Sequence, residues 1–188
     1  MNEGPYAQLP ADLPVPVDDG ACNHLPGKRL PDIALLATSN QRVNLCRQTG
    51  LIVLYAYPMT GRPGVSLPAG WDAIPGARGC TPESCGFRDL HAEMRRLGAE
   101  VFGLSTQTSD YQREVRDRLQ LPFELLSDES FVFIDALSLP TFKVDSTQLV
   151  RRLTLVCLSG IIEHIFYPIF PPDRHAAEVV AFLKSRKT

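Results

Sequence analysis

Apolar residues along this chain fall into short runs separated by amphipathic segments. Residues 51–57 form a continuous apolar run, which is typical of a strand buried on both faces of a sheet. Shorter runs predict further strands at 33–36, 42–45, 100–105 and 123–126, and a hairpin made of 152–158 and 161–166. The period-two and continuous runs therefore predict a sheet that contains at least one fully buried strand.

Helical periodicity appears between these strands. Residues 80–97 carry Phe87, Leu90, Met94 and Leu97 at helical spacing, and Gly98 follows as a stop signal. Further helices are predicted at 108–119, near 129–137 and at 173–186, the last with Asp173 as its N-cap. The alternation of strands and helices predicts an α/β fold, with a central mixed sheet flanked by helices on both faces.

Proline and glycine divide the chain into regions. Residues 1–26 hold five prolines and few apolar clusters, which predicts an extended N-terminal arm. Residues 27–188 are expected to form one domain, because this length provides a sizeable core without a second domain. A loop rich in Gly and Pro lies between the buried strand and the first long helix.

Bulk composition excludes several classes of protein. The net charge is −2 with no long basic run, so nucleic acid is not an expected partner. No apolar stretch approaches the ~20 residues of a membrane span, and the N-terminus does not resemble a signal peptide. Five cysteines are an odd number without the spacing of a secreted disulfide framework, which favours a reducing cytoplasm.

The most informative chemistry lies in residues 79–89, where a loop becomes a helix. Thr81 is predicted to cap this helix, which places Cys80 at its N-terminus. Unpaired backbone N–H groups and the helix dipole favour an anion there, so the thiol is expected to ionise more easily. Arg78 and Arg88 add positive charge nearby, and together these features indicate an activated cysteine.

A second cysteine, Cys85, follows five residues later on the same helix. Five residues rotate through roughly 500°, so the two side chains lie about 140° apart around the axis. A disulfide needs closely spaced, correctly aimed Cβ atoms, so bridging would require the first turns to unwind. This arrangement suits a reversible disulfide better than a structural one, while two inert core cysteines remain the alternative.

The order of these elements resembles the thioredoxin-like fold of the peroxiredoxins, from about residue 26 to 184. Residues 27–33 are similar to the family's opening segment G-x-x-A-P-D-F, and 54–58 to a strand that ends in F-Y-P. Residues 79–89 resemble the G-C-T-x-x-x-C-x-F-R-D run of the PrxQ, or bacterioferritin-comigratory, subfamily, and 125–128 its L-L-S-D. Arg152 falls where the family has its second active-site arginine.

The resemblance implies a thiol-dependent peroxidase. Cys80 would be the peroxidatic cysteine, which attacks a hydroperoxide and becomes a sulfenic acid, and Cys85 would be the resolving cysteine. Thioredoxin or a similar dithiol would reduce the resulting disulfide. Arg152 would bind the peroxide and stabilise the thiolate. The resemblance implies no metal, flavin or haem, and leaves a monomer and a homodimer both open.

One part of the chain departs from the family pattern P-x-x-x-[ST]-x-x-C. Here 21 residues separate Pro58 from Cys80 instead of six, and residues 65–79 read as an inserted loop. Counting back from Cys80, Ala77 stands at the hydroxyl position, so Thr60 becomes the candidate for that hydroxyl. The loop is expected to be an ordered flap beside the active site, anchored by the apolar residues Leu67, Trp71 and Ile74.

The sequence is also compatible with other interpretations of the function and of single residues. The chain could be a non-catalytic or redox-sensing thioredoxin-fold protein that uses the insertion to bind a partner. Cys22 is expected to be a passive exposed cysteine, with an alternative resolving or intermolecular role, while Cys46 and Cys157 are expected in the core. A zinc site from Cys22, His24, Cys80 and Cys85 is conceivable, although their spacing is unusual for zinc. The side chains of His91, His164 and His175 are expected at the surface.

Overall fold

A computed structural model describes Tyr6 and residues 8–186 of the chain. Within these residues, the strands are β1 (Ala34–Ala37), β2 (Arg42–Asn44), β3 (Leu51–Ala56), β4 (Ala99–Ser105), β5 (Glu124–Ser127), β6 (Thr141–Val144), β7 (Thr147–Val150), β8 (Leu153–Leu158) and β9 (Ile161–Phe166). The α-helices are α1 (Cys80–Arg96), α2 (Ser109–Leu119), α3 (Val132–Leu137) and α4 (His175–Ser185).

Seven of these strands form one mixed sheet in the order β2-β1-β5-β4-β3-β8-β9. Strand β3 lies near its centre, parallel to β4 and antiparallel to β8. Strands β6 and β7 pair only with each other, as a separate antiparallel hairpin. The predicted α/β class with a central mixed sheet is confirmed.

Strand β3 shows why the sheet needs helices on both faces. Ile52 and Leu54 belong to a core cluster that includes α3 and part of the N-terminal arm. Val53 and Tyr55 belong to a second cluster that includes residues of α1, α2 and α4. Alternate side chains of a strand point to opposite faces, so a continuous apolar run is buried on both.

The described residues of the N-terminal arm pack along the surface of the domain. Leu25 and Cys22 are buried in the core cluster beside α3, and the Tyr167 hydroxyl donates to Asp19 at 2.9 Å. Arg29 then forms an isolated antiparallel bridge with Ile161 of β9. The expectation that Cys22 is exposed is wrong, because the arm folds over it and leaves it 5% exposed.

The segment 65–79 packs against the β6–β7 hairpin. The sequence analysis did not predict this hairpin. Trp71 begins a short 3-10 helix (Trp71–Ala73), and its ring lies 6.1 Å from that of Phe142 on β6. Leu67 and Ile74 pack against the same small apolar cluster, as expected of anchors. The inserted segment is therefore an ordered loop, which shares a small apolar cluster with the β6–β7 hairpin.

Two helix starts differ from the prediction. Helix α4 begins at His175 with Arg174 at the N-cap position, and no side chain caps it, so the predicted Asp173 cap is wrong. Helix α1 starts after Gly79, so the predicted Thr81 cap is also wrong.

No helix in the described part of the chain has the length and apolar character needed to cross a membrane.

Candidate active site

Helix α1 begins with Cys80, and Gly79 precedes it at the N-cap position with a φ of 108°. A side chain there would be strained by this φ, and its Cβ would lie 2.3 Å from Cγ of Pro172. Glycine therefore permits the sharp entry into the helix beside Pro172. Cys80 is 3% exposed and lies where unpaired helix N–H groups concentrate, as the sequence indicated.

Arg152, between β7 and β8, reaches the sulfur of Cys80 from the sheet. Its Nη2 atom lies 3.1 Å from Cys80 Sγ and also donates to the carbonyl oxygens of Ala77 and Arg78, each at 3.2 Å. Its Nε donates to the carbonyl of Gly76 at 3.2 Å. The guanidinium thus ties the end of the inserted segment to the start of α1 and places a positive charge against the thiol.

Glu83 completes this buried group, a role that the sequence analysis did not predict. Its Oε2 accepts from Nη1 of Arg152, and both side chains are almost completely buried. Burial raises the pKa of Glu83 to about 7, against the opposing charge of Arg152. One helical turn separates Glu83 from Cys80, and this spacing is the sequence signal that could have identified it.

The pKa of Cys80 shifts in the opposite direction from the one expected. Burial raises the pKa of the Cys80 thiol, and the nearby Glu83 carboxylate adds to the rise. The charge of Arg152 and a hydrogen bond from the Met59 backbone N–H lower it. Burial of the site therefore disfavours ionisation of the Cys80 thiol. Among the groups that lower its pKa, Arg152 has the largest effect.

The two candidate hydroxyl positions do not contact Cys80 through a hydroxyl. Ala77 has none, and only its carbonyl lies near the sulfur, at 3.7 Å. The Thr60 hydroxyl instead donates to Gln107 Oε1 at 3.0 Å, and the Thr60 carbonyl accepts from the Tyr111 hydroxyl at 3.0 Å. The structure thus holds Thr60 in a network with β4 and α2 neighbours rather than at the thiol.

All five cysteines lie in the described part of the chain as thiols. Cys85 is 8% exposed on α1, in the same core cluster as Cys80. Burial raises the pKa values of Cys22 and Cys157 to about 12, so both are poor nucleophiles. Cys157 is in the core as expected, whereas Cys46 is only partly buried.

A small, partly open cavity of about 10 Å³ adjoins Cys80, close to the room that one water molecule needs. Trp71 and Leu67 of the inserted segment line it, and so does Tyr6 of the N-terminal arm. The Tyr6 hydroxyl donates to the Val65 carbonyl at 2.5 Å, so the arm and the insertion meet at the cavity. Sequence reasoning missed Tyr6, since nothing in a proline-rich arm indicates where it folds back.

His175 is another buried polar residue, and the expectation that it lies at the surface is wrong. It is fully buried, and its Nε2 lies 2.8 Å from the Thr154 hydroxyl. Its ring packs edge-on against Phe87 and Phe166. Burial lowers the pKa of His175 to about 3, so the imidazole is neutral in the fold.

Metal binding has no support in this geometry. Among Tyr6 and residues 8–186, no group of three or more His, Cys, Asp or Glu side chains is arranged to hold a metal ion. The structure does not bring together the four residues of the zinc alternative.

Comparison with solved structures places this fold among known ones. The peroxidoxin BcpB from Mycobacterium tuberculosis matches with a TM-score of 0.70 at 23% identity, over 88% of this chain and 100% of that one. PrxQ from Xylella fastidiosa matches with a TM-score of 0.71 at 20% identity, over 88% of this chain and 99% of that one. The fold is therefore the thioredoxin-like fold of these proteins, with a buried thiol at the N-terminus of α1.

Sequence comparison identifies the family. The profile of the AhpC/TSA family matches residues 73–165. Peroxiredoxin Q from Arabidopsis thaliana, a chloroplastic protein, is 30% identical over 160 residues, which cover 85% of this chain and 67% of the relative. The chloroplastic peroxiredoxin Q of japonica rice is 28% identical, and this chain spans 66% of its length. The chain belongs to the AhpC/TSA family, in its peroxiredoxin Q group.

Proposed function

We propose that the protein is a thiol-dependent peroxidase that reduces hydrogen peroxide or organic hydroperoxides. The observation that carries the proposal is the 3.1 Å contact between Arg152 Nη2 and Cys80 Sγ at the start of α1. A guanidinium remains charged at all relevant pH values and can stabilise both the thiolate and the negative charge that develops on a peroxide. Membership of the peroxiredoxin Q group supports the same chemistry.

In the first step the Cys80 thiolate attacks the terminal oxygen of the hydroperoxide. The S–O bond forms while the O–O bond breaks, and the leaving oxygen takes up a proton as water or alcohol. Cys80 is oxidised to a sulfenic acid and the peroxide is reduced. In this proposal Arg152 stabilises the step, and the position of its Nη2 at 3.1 Å from the sulfur supports that role.

In the second step the Cys85 thiol condenses with the sulfenic acid and releases water, leaving a disulfide between Cys80 and Cys85. Both residues belong to α1, so the first turns of that helix must unwind before the sulfurs meet. Thioredoxin or a similar dithiol then reduces the bridge by thiol–disulfide exchange and is itself oxidised. This cycle uses no metal, flavin or haem.

A second candidate is a non-catalytic or redox-sensing role. The observation that favours it is the narrowness of the cavity beside Cys80, which Tyr6, Leu67 and Trp71 restrict. In that case the insertion and the arm would serve to contact a partner, and the thiol would react slowly. The two candidates differ in the rate at which peroxide disappears.

The test compares the wild-type protein with Cys80→Ser and, as a matched control, Cys46→Ser. Cys46 is partly buried and lies outside the cavity. Peroxide is added with a thioredoxin system and its consumption is followed over many turnovers. The wild-type protein and Cys46→Ser should consume peroxide catalytically, and Cys80→Ser should not. Wild-type consumption no faster than that of Cys80→Ser would reject the peroxidase and favour the sensing role.

Compartment and assembly belong to the same proposal. We place the protein in the cytoplasm because its five cysteines are odd in number and lack the spacing of a secreted disulfide framework. The plant relatives carry names that place those proteins in chloroplasts. Cell fractionation tests the compartment, and sedimentation of the reduced and oxidised protein distinguishes a monomer from a homodimer.

A further inference from the structure

One hydroxyl group next to Cys80 has no assigned role. Thr81 is 2% exposed, and its Oγ1 atom is buried without a hydrogen-bond partner among the described residues. Thr81 lines the same cavity as Cys80. Buried polar groups nearly always find a partner, so an unpaired hydroxyl at a reactive thiol needs an explanation.

The Thr81 hydroxyl also forms no bond to the backbone that precedes it, within the described residues. A threonine in a helix commonly donates back to the carbonyl three or four residues earlier. For Thr81 these are the carbonyls of Arg78 and Ala77, and both accept from Nη2 of Arg152. Among the described residues, the Thr81 hydroxyl bonds to neither carbonyl, although each oxygen has a second lone pair, so its hydrogen-bonding capacity is left for a ligand in the cavity.

Among the described residues that line this cavity, one other side-chain nitrogen or oxygen is buried without a hydrogen-bond partner. Nε of Arg78 is buried without a partner, while Nη1 of Arg78 pairs with Asp72 at 3.0 Å. A guanidinium nitrogen only donates, whereas a hydroxyl both donates and accepts. Of these two groups, only Thr81 can accept a hydrogen bond from the O–H of a hydroperoxide.

We propose that the Thr81 hydroxyl binds the hydroperoxide in the cavity beside Cys80 and is a catalytic residue of the peroxidase reaction. This inference rests on the proposed function. Thr81 Oγ1 accepts from the O–H of the oxygen that the thiolate attacks, and its own O–H donates to the leaving oxygen. As the S–O bond forms and the O–O bond breaks, negative charge moves to the leaving oxygen, where this donor stabilises it.

This assignment replaces Thr60 as the source of the hydroxyl. Thr60 is fully buried, but its hydroxyl is committed to Gln107 and Thr60 does not line the cavity. Thr81 is adjacent to Cys80 in the first turn of α1, so its position relative to the sulfur does not depend on the course of the insertion. The site can therefore accommodate residues 65–79 and keep a hydroxyl beside the thiol.

The test uses Thr81→Val, which keeps the shape and removes the hydroxyl, and Thr81→Ser, which keeps the hydroxyl. Stopped-flow measurement gives the rate constant for the reaction of Cys80 with hydrogen peroxide. Alkylation by iodoacetamide across pH reports the reactivity of the same thiol without a peroxide. Thr60→Val serves as the competing variant.

The expected result is a loss of about 10²-fold in the peroxide rate constant for Thr81→Val, the size seen when one oxyanion donor is removed. Alkylation should stay within about twofold of wild type, and Thr81→Ser should recover most of the peroxide rate. A larger loss in Thr60→Val than in Thr81→Val would overturn the assignment. An equal loss of alkylation would also overturn it, because Thr81 would then only position the thiol.

Failure of the proposed function gives a different pattern. If wild-type Cys80 reacts with peroxide no faster than an ordinary cysteine, the peroxidase proposal is rejected and the catalytic role of Thr81 is rejected with it. If the wild type reacts rapidly and Thr81→Val reacts equally rapidly, the peroxidase proposal stands and only the role of Thr81 is rejected.

Discussion

Nη2 of Arg152 lies 3.1 Å from the Sγ of Cys80, and both side chains are buried. The contact joins the loop before β8 to the start of α1, two segments far apart in sequence. Because burial raises the pKa of Cys80, the nearby guanidinium is the main group that offsets this rise. The ionisation of the thiol therefore depends on a residue that lies 72 positions away in the sequence.

Replacing Arg152 should impair the thiol directly. In Arg152→Ala the pKa of Cys80 should rise further, because the largest contribution that lowers it is removed. Loss of one such donor costs about 10²–10³ in rate. The pH dependence of thiolate absorbance and the rate constant with peroxide provide the two measurements.

Arg151→Ala is the matched control for that variant, since Arg151 is half-exposed and does not line the Cys80 cavity. Its side chain pairs with Asp19 at 3.6 Å and donates to the Thr141 carbonyl at 3.4 Å. It should keep the wild-type thiol pKa and rate. Equal rates for Arg152→Ala and Arg151→Ala would reject the electrostatic role of Arg152. Circular dichroism should accompany both variants, because Arg152→Ala leaves Glu83 buried without its cation.

Glu83→Gln should have the opposite effect on the thiol. The Glu83 carboxylate raises the pKa of Cys80, so its neutral isostere should lower that pKa and move the pH–rate profile to lower pH. Glutamine still presents an oxygen to Nη1 of Arg152 and so keeps the guanidinium in place. Alkylation of Cys80 as a function of pH measures the change, and an unchanged or raised midpoint would contradict it.

Buried His175 should make the fold sensitive to acid. Its folded pKa of about 3 lies below the ordinary 6.5, so below pH 6.5 the unfolded chain binds a proton that the folded chain excludes. This contribution destabilises the fold as pH falls, by about 2 kcal/mol between pH 7.5 and 5. Urea unfolding at the two pH values should show it as a difference between the wild type and His175→Gln.

The comparison with a variant is needed because Glu83 acts in the other direction. Its folded pKa of about 7 lies above the ordinary 4.5, so the folded chain binds a proton first and gains stability as pH falls through this range. The two contributions partly cancel in the wild type. If His175→Gln loses as much stability as the wild type between pH 7.5 and 5, His175 is not the group responsible.

The sequence predicted those parts of the fold that have a strong local pattern. The apolar run of β3 and the periodicity of α1 mark these elements correctly, since each buries a whole face or stripe. The hairpin of β6 and β7 was missed because its apolar residues pack against the insertion, a contact between distant segments.

In the candidate site too, some residues could be predicted from the sequence and others depend on contacts between distant segments. Cys80 could be found from its place at a helix start, and Arg152 from its position in the resemblance to the family. The burial of Glu83 and the position of Tyr6 depend on how distant segments close over α1. The direction of the Cys80 pKa shift was predicted wrongly for the same reason, because no local pattern reports how deeply a helix N-terminus is buried.

Reaction of the protein with one equivalent of peroxide should produce the Cys80–Cys85 disulfide. Peptide mapping of the oxidised protein is the measurement that checks this. The high pKa of Cys22, about 12, and its burial under the arm make it a poor competitor for the sulfenic acid. In Cys85→Ser the sulfenic acid should persist and be trapped by dimedone, while the first oxidation keeps its rate. Recovery of a Cys80–Cys22 bridge from the wild type would move the resolving role to the arm.

The inserted segment should control which peroxides reach Cys80. Trp71 lines the cavity beside the thiol and is 3% exposed, so Trp71→Ala should widen the cavity. The ratio of rate constants for cumene hydroperoxide and hydrogen peroxide should rise by at least about tenfold, the least that a change of pocket volume usually gives. Stopped-flow oxidation with each peroxide measures that ratio.

A point variant is sharper here than deletion of residues 65–79, because Arg152 donates to the carbonyls of Gly76, Ala77 and Arg78. Deletion would release the arginine and change the thiol as well as the access. Phe142→Ala is the matched control, since Phe142 packs against Trp71 without lining the Cys80 cavity. It loosens the same cluster but leaves the cavity wall intact, so its rate ratio should change less than that of Trp71→Ala. Equal ratios in both variants and the wild type would mean that the segment does not govern access to Cys80.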